Sequence, residues 1–217
     1  DHALDKSSIE RDLDCLRAIG LNPQDKDPEI FITSREIQWA ENFMVEQKID
    51  SSKKLVIIHP AASQDHKDWG LDRFVTLSRK LIHDHGHQVL GYFSEQERSI
   101  ANLLLDQVEG VFVYVGPLRP SMALISKADL MIDNCSGPAH ISAALNIPTL
   151  VLMGVDYKNT YRDRDIYKEK NFLFFQEVPC RDLFLSKCLP PDPCQSRICM
   201  DHSVDDVLKK SLELLHT

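Results

Sequence analysis

Between Lys54 and Gly154 the chain alternates short apolar runs with longer amphipathic stretches, and this rhythm restricts its fold more than any other feature. LVIIH (55–59), HQVLGYF (87–93), VFVYVG (111–116), DLMID (129–133) and PTLVLMG (148–154) read as strands. They are nearly continuous in apolar residues rather than alternating, as expected of strands covered on both faces of a parallel sheet. Helices are expected between them at 71–85 (closed by Gly86), 95–107, 121–127 and 137–145. Right-handed crossovers put such helices on both faces, so the chain predicts an α/β fold with a doubly wound, parallel, Rossmann-like sheet.

The flanks read differently. Ser7-Ser8 precedes a helical stretch with Ile9, Leu13, Leu16 and Ile19 at helical spacing and Gly20 as its stop. A polar linker at 22–28 leads to a second helix over 34–48, with Ile37, Ala40, Phe43 and Met44 on one face. We therefore divide the chain into a helical segment and linker, 1–50, and a Rossmann-like domain, 51–217. The apolar faces of the first part expect a neighbour that the chain itself does not supply. Beyond Gly154 the rhythm lapses into a charged surface loop, after which NFLFF (171–175) is a candidate edge strand. An irregular stretch rich in Cys and Pro follows from Pro179. Ser203 then opens a last helix, with Asp205 and Asp206 at its start and Val204, Val207, Leu208, Leu212 and Leu215 on its apolar face.

Composition narrows the function classes. With 43% hydrophobic and 27% charged residues over 217 positions, the chain is an ordinary globular one that needs no staples. A net charge of −8 without Lys or Arg clusters argues against nucleic acid as a partner. No apolar run nears the roughly 18 residues of a membrane span, so the chain is not expected to be transmembrane. It starts at Asp1 without Met or a charged-then-apolar leader, so we expect no signal peptide and a processed or truncated start. Six Cys are too few for a disulfide scaffold, which points to a cytoplasmic setting.

Ligands of such sheets bind beyond the carboxyl ends of the strands, where strand order reverses. That point falls between the first and fourth strands of the regular region. The segment after the fourth strand, Asn134-Cys135-Ser136-Gly137-Pro138, runs directly into a helix. Ser136 suits the cap, Gly137 admits a ligand close to the backbone, and Pro138 fits the first turn. The N–H groups and dipole of that helix start suit an anion, although a well-capped helix with no ligand reads equally well. His140, one turn in, suits a ligand contact or, more simply, a structural histidine. After the first strand, Lys67 offers a point charge for phosphate and Ser63 a hydroxyl, while Trp69 reads mainly as core. Singly, Lys67 is an ordinary solvated lysine; its place on the same sheet edge as Ser136-Gly137 is what singles it out.

These segments together resemble glycosyltransferase family 9, the lipopolysaccharide heptosyltransferases. The likeness rests on His59-Pro60-Ala61-Ala62-Ser63, Lys67-Asp68-Trp69 and Asn134-Cys135-Ser136-Gly137-Pro138-Ala139-His140, taken in order and spacing. It extends to the fifth strand, Gly154, the Cys-dotted tail and the LRAIGL stretch, which is similar to the family's interdomain region. The resemblance implies the C-terminal, donor-binding half of a GT-B architecture. Its donor would be a nucleotide sugar such as ADP-heptose. A lipid-linked glycan acceptor and the general base would belong to an N-terminal domain, so no catalytic residue is expected in this half. The donor-binding set implied is Ser63, Lys67, Asn134, Cys135, Ser136, Gly137 and His140. Cys135 departs from the family's Asp and Asp68 from its Arg.

No cofactor and no metal are expected, since lysine and a helix terminus neutralise a diphosphate without one. Asp163 and Asp165 read as solvated. Cys180, Cys188, Cys194 and Cys199 lack the paired spacing of common zinc sites, so free thiols are favoured over zinc or a disulfide. Solvated side chains are likewise favoured for His83, His85 and His87. A peripheral position at the inner membrane stays open. The competing readings are a non-catalytic nucleotide- or sugar-binding module and a nicotinamide-dependent oxidoreductase. The absence of G-x-G-x-x-G after the first strand argues against the latter.

Overall fold

The computed structural model describes residues 8–25, 27–154, 171–178 and 197–216. Two helices, α1 (Ser8–Ala18) and α2 (Ser34–Glu46), lead into β1 (Leu55–His59), α3 (Leu71–Arg79) and β2 (Gln88–Phe93). Then follow α4 (Arg98–Gln107), β3 (Phe112–Val115), α5 (Leu118–Ile125), β4 (Leu130–Asn134), α6 (Gly137–Ala144) and β5 (Thr149–Met153). The last described elements are β6 (Asn171–Phe175) and α7 (Val204–Leu215).

The strands form one sheet in the order β3-β2-β1-β4-β5-β6, and every described pairing is parallel. This is the doubly wound arrangement that the sequence predicts, with the reversal of order between β1 and β4. Every residue of β1, β2, β4 and β5 is buried, which is why these runs lack polar alternation. One core lies under α3, α4 and α7 and includes Val56, Ile58, Trp69, Phe74, Leu104 and Leu152. The other, including Ile57, Leu90, Ile125 and Met131, fills the opposite face. The NFLFF run is the sixth parallel strand, and Ser203 caps α7 through a bond from the Asp206 N–H.

Local chemistry moved three helix boundaries. The expected helix at 121–127 is α5, which starts three residues earlier at Leu118. Pro120 lies in its first turn, where a missing N–H costs nothing. The helix expected at 71–85 is α3 continued by a wider π-type turn, Lys80–Asp84, and it ends before Gly86 at a φ of +69°. The expected start at 95 is a 3₁₀ turn, Glu95–Glu97, opened by Ser94 and Glu97 capping each other before α4.

Helix α2 packs on the domain itself, against β3 and α5. Its residues Trp39 and Phe43 pack around Tyr114 with ring centroids 5.5 and 5.6 Å away. The Arg119 fork on α5 donates to both Glu36 oxygens at 2.7 Å. Helix α1 keeps Leu16 exposed, and Ile19 just beyond it is exposed as well. The expected charged loop after Gly154, with Asp163 and Asp165, lies outside the described residues, as do Cys180, Cys188 and Cys194. Cys199 is buried in the main core, and His83 and His85 are exposed. Among the described residues no group of His, Cys, Asp or Glu has a metal-binding arrangement, and no helix is long and apolar enough to cross a membrane.

At the end of β5 the chain passes tightly beneath the β1–α3 loop. A Cβ on Gly154 would lie 2.8 Å from the His66 carbonyl oxygen and 3.1 Å from the Met200 sulfur. The first contact is backbone and cannot swing aside. Gly154→Ala is therefore expected to cost about 1–3 kcal/mol through overpacking, lowering Tm by roughly 3–10 °C in a scanning calorimeter. An unchanged Tm would show that the loop yields freely.

Candidate functional site

Adjacent strands place His59 and Asp133 opposite each other at the carboxyl ends of β1 and β4. His59 closes β1 and Asp133 stands one residue before the end of β4, both buried, so their polar groups must pair within the fold. His59 Nδ1 lies 3.0 Å from Asp133 Oδ1, and His59 Nε2 lies 3.6 Å from Glu97 Oε2. Asp133 has no exposed surface and gathers three donors. Besides His59 these are the Ser136 hydroxyl, at 2.9 and 2.8 Å from its two oxygens, and the Ala139 N–H at 2.7 Å.

Asp133, not Ser136, therefore caps α6. Ser136 occupies the N-cap position in extended backbone but makes no side-chain cap bond, contrary to the expectation from sequence. A serine normally caps with its own oxygen; here a stronger acceptor, the buried carboxylate, takes the helix N–H and the serine proton as well.

Charge follows from this packing. Burial opposes ionisation of His59, yet its hydrogen bond to Asp133 and the nearby Glu97 carboxylate together raise its pKa to about 9. Burial pushes the Asp133 carboxyl up from its usual value, while His59, Ser136 and Ala139 act the other way. Three converging donors favour the anion, so we assign an ion pair of imidazolium and carboxylate. Glu97 is held at about 2, mainly by His59, against burial and with further bonds from Ser94.

A cleft of about 530 Å³ opens above this pair, within the range of small-molecule sites. Ser63, Lys67, Cys135, Ser136, Gly137 and His140, all singled out from sequence, line it together with His59, Tyr92, Ser94 and Glu97. Lys67 ends a 3₁₀ turn, Asp65–Lys67, anchored by Trp69 two residues on. Trp69 is 1% exposed, donates from its indole to the His202 carbonyl at 2.9 Å, and packs edge-on against Phe74. His140 stands on the wall, in the first turn of α6. The surrounding protein draws its pKa down; Asp133 opposes this and Lys67 reinforces it.

Asn134 does not line the cleft. It is fully buried, accepts from the Trp69 N–H at 3.1 Å and donates to the Pro60 carbonyl at 2.8 Å. Its work is to tie the loop that carries Lys67 to the end of β4. Cys135 is 6% exposed and packs in a small apolar cluster with Ala139, Val151 and Met153, surroundings that suit a thiol better than a carboxylate. Sequence reasoning missed His59, Asp133, Tyr92, Ser94 and Glu97 as site residues. For the first two a signal was present: a polar residue closing each of two apolar strands that the fold makes neighbours.

The profile of glycosyltransferase family 9 (heptosyltransferase) matches residues 3–182. The chain belongs to glycosyltransferase family 9. Among its relatives is the lipopolysaccharide core heptosyltransferase OpsX of Haemophilus influenzae, 26% identical over 151 residues, which are 66% of this chain and 41% of OpsX. The crystal structure of a family 9 glycosyltransferase from Veillonella parvula superposes with a TM-score of 0.78 at 16% identity, covering 99% of this chain and 61% of that one. The E. coli heptosyltransferase WaaC with ADP superposes with a TM-score of 0.62 at 17% identity, covering 97% and 57%. The chain thus spans less than two thirds of these family 9 proteins.

The buried pair makes stability depend on pH in a defined sense. His59 titrates at about 9 when folded, against roughly 6.5 when unfolded. Its contribution is complete below about 6.5 and is lost as pH rises through about 9. Glu97, depressed to about 2, contributes above roughly 4.5 and fails as pH falls through about 2. Wild-type Tm is expected to fall between pH 7 and 10, and His59→Gln to flatten that decline. Asp133→Ala, which strands the imidazolium, is expected to lose roughly 3–5 kcal/mol in urea unfolding at pH 7. A loss below about 1 kcal/mol, the median for an exposed pair, would contradict the ion-pair assignment.

Proposed function

We propose that the cleft holds a nucleotide-sugar donor, and that the chain is the donor half of an enzyme transferring the sugar to a lipopolysaccharide-type acceptor. The observation that carries this reading is the convergence of Lys67 and the start of α6 on one cleft at the β1–β4 reversal. Sugar transfer from a nucleotide diphosphate develops negative charge on the departing diphosphate. The Lys67 ammonium and the backbone N–H groups at Ser136 and Gly137 are fixed partners for that charge, which is electrostatic preorganisation. Ser63 adds a hydroxyl at the rim, and His140 stands one helical turn further along the same wall.

ADP-heptose is the donor we favour. Support comes from the heptosyltransferase relatives and from the ADP complex of WaaC, whose fold this chain shares. The acceptor, a lipid-linked glycan, and the base that activates it are assigned to a second domain facing the cleft. The proposed setting is cytoplasmic, beside the membrane that holds the acceptor. A second reading, a module that binds the nucleotide sugar without transferring it, is favoured by Cys135, which puts a thiol where the family has a carboxylate.

Thermal unfolding with ADP, ADP-heptose, UDP and UDP-glucose tests the donor assignment. A ligand at 100 times its Kd adds about 2.7 kcal/mol, or roughly 5–10 °C for a chain of this size. We expect that shift with the ADP compounds, and a loss of at least tenfold in ADP affinity for Lys67→Ala, as for a charge-assisted contact of about 1.5–3 kcal/mol. A shift with UDP compounds instead would change the donor. No shift with any of them would overturn the donor-site reading.

A further inference from the structure

The hydroxyl of Ser136 is a cleft group whose hydrogen is already committed to a buried acceptor. It sits on the cleft wall at the first residue before α6. Behind it lie both Asp133 oxygens, at 2.9 and 2.8 Å, and His59 Nδ1 at 3.2 Å. When His59 is the imidazolium, its Nδ1–H points at the carboxylate, and the serine proton goes to Asp133. If the pair instead held its shared proton on the carboxyl group, that proton would fill the one Nδ1 lone pair and the serine proton would go to the other carboxyl oxygen, at 2.8 Å. In either arrangement the proton points into the protein, because each alternative acceptor lies on the buried side. Asp133 is 0% and His59 6% exposed, so water does not compete for these bonds. What Ser136 shows to the cleft is an oxygen lone pair.

We infer that Ser136 is a specificity-determining acceptor that reads a hydroxyl group of the bound sugar, with Asp133 and His59 as the positioning residues that aim it. The inference rests on the donor-site reading above and refines it. The diphosphate of a nucleotide sugar, esterified at both ends, carries no proton at neutral pH to offer this lone pair and repels it, so the diphosphate falls to Lys67 and the backbone N–H groups. A sugar hydroxyl carries the donor that Ser136 lacks. The chain therefore sorts the two halves of its ligand by proton direction: donors face the diphosphate and an acceptor faces the sugar. A site built to pair a substrate hydroxyl rejects an analogue without it more sharply than one built on apolar contact. Discrimination among nucleotide sugars then depends on a carboxylate that never touches the ligand.

Calorimetric titration of the 217-residue chain with ADP, inorganic pyrophosphate, ADP-heptose and ADP-glucose tests this. For Ser136→Ala we expect ADP and pyrophosphate affinities to stay within about twofold of wild type. At least one sugar nucleotide should weaken about tenfold, the effect of about 1.4 kcal/mol. Ser136→Thr, which keeps the hydroxyl, should restore most of the loss. Asp133→Asn, which offers Ser136 a donor and lets its proton swing outward, should lower the preference for sugar nucleotide over ADP. A Ser136→Ala loss equal for ADP and the sugar nucleotides would place Ser136 on the nucleoside diphosphate, at phosphate if pyrophosphate weakens too and at the ribose if it does not, and would overturn the inference alone. Sugar nucleotides unaffected by Ser136→Ala would overturn it as well. Failure of all four compounds to bind the wild-type chain would overturn the donor-site reading and this inference together.

Discussion

The carboxylate of Asp133 lies where a strand, a helix and a neighbouring strand meet, and the geometry of the site depends on how its charge is satisfied. An anion with no exposed surface at the end of β4 needs several donors, and the fold supplies one from each neighbouring element. β1 contributes the His59 imidazolium, the β4–α6 turn the Ser136 hydroxyl, and the first turn of α6 the Ala139 N–H. These bonds close the gap between β1 and β4 that a doubly wound sheet leaves at its reversal of order. They also set where α6 begins, and so where its N–H groups point. Glu97, reaching His59 from the turn before α4, ties the β2 side of the cleft to the same centre.

A second set of contacts holds the Lys67 loop. Asn134 binds the Trp69 N–H and the Pro60 carbonyl, the Trp69 indole binds the His202 carbonyl, and His202 Nε2 lies 3.2 Å from the Met153 carbonyl. The chain of bonds runs from β4 through the loop to the segment before α7 and back to β5. Gly154 belongs to it by having no side chain, since the His66 carbonyl occupies the space that a Cβ would take. Charge and placement are thus handled separately: one buried network shapes the helix start, another sets the reach of the lysine opposite.

The departure at Cys135 makes sense against this background. Its side chain sits with Ala139, Val151 and Met153, where a carboxylate would be costly. A carboxylate is nevertheless present two residues earlier, turned inward and neutralised by His59. The negative group near this helix start is therefore held by Ser136 and the first turn of α6 and does not line the cleft. Asp68 does not line the cleft; its carboxylate accepts from the Gly70 N–H at 2.9 Å just before α3.

The sequence by itself determined the parallel α/β sheet, its point of reversal and the two segments that border the cleft. These follow from local patterns: buried runs without alternation, helices between them, and Gly and Pro at a helix start. It also singled out Ser63, Lys67, Ser136, Gly137 and His140, because residue type and place on one sheet edge suffice for that. Only the tertiary structure decided which way side chains turn. That Asn134 faces inward, that Asp133 rather than Ser136 caps α6, and that His59 and Glu97 join the site are results of burial and of pairing between residues 74 and 38 positions apart in the chain. Helix α2 shows the same division: its amphipathic spacing was legible, but its partner α5 was not. Periodicity records which face of an element avoids water, and carries no information on what that face meets.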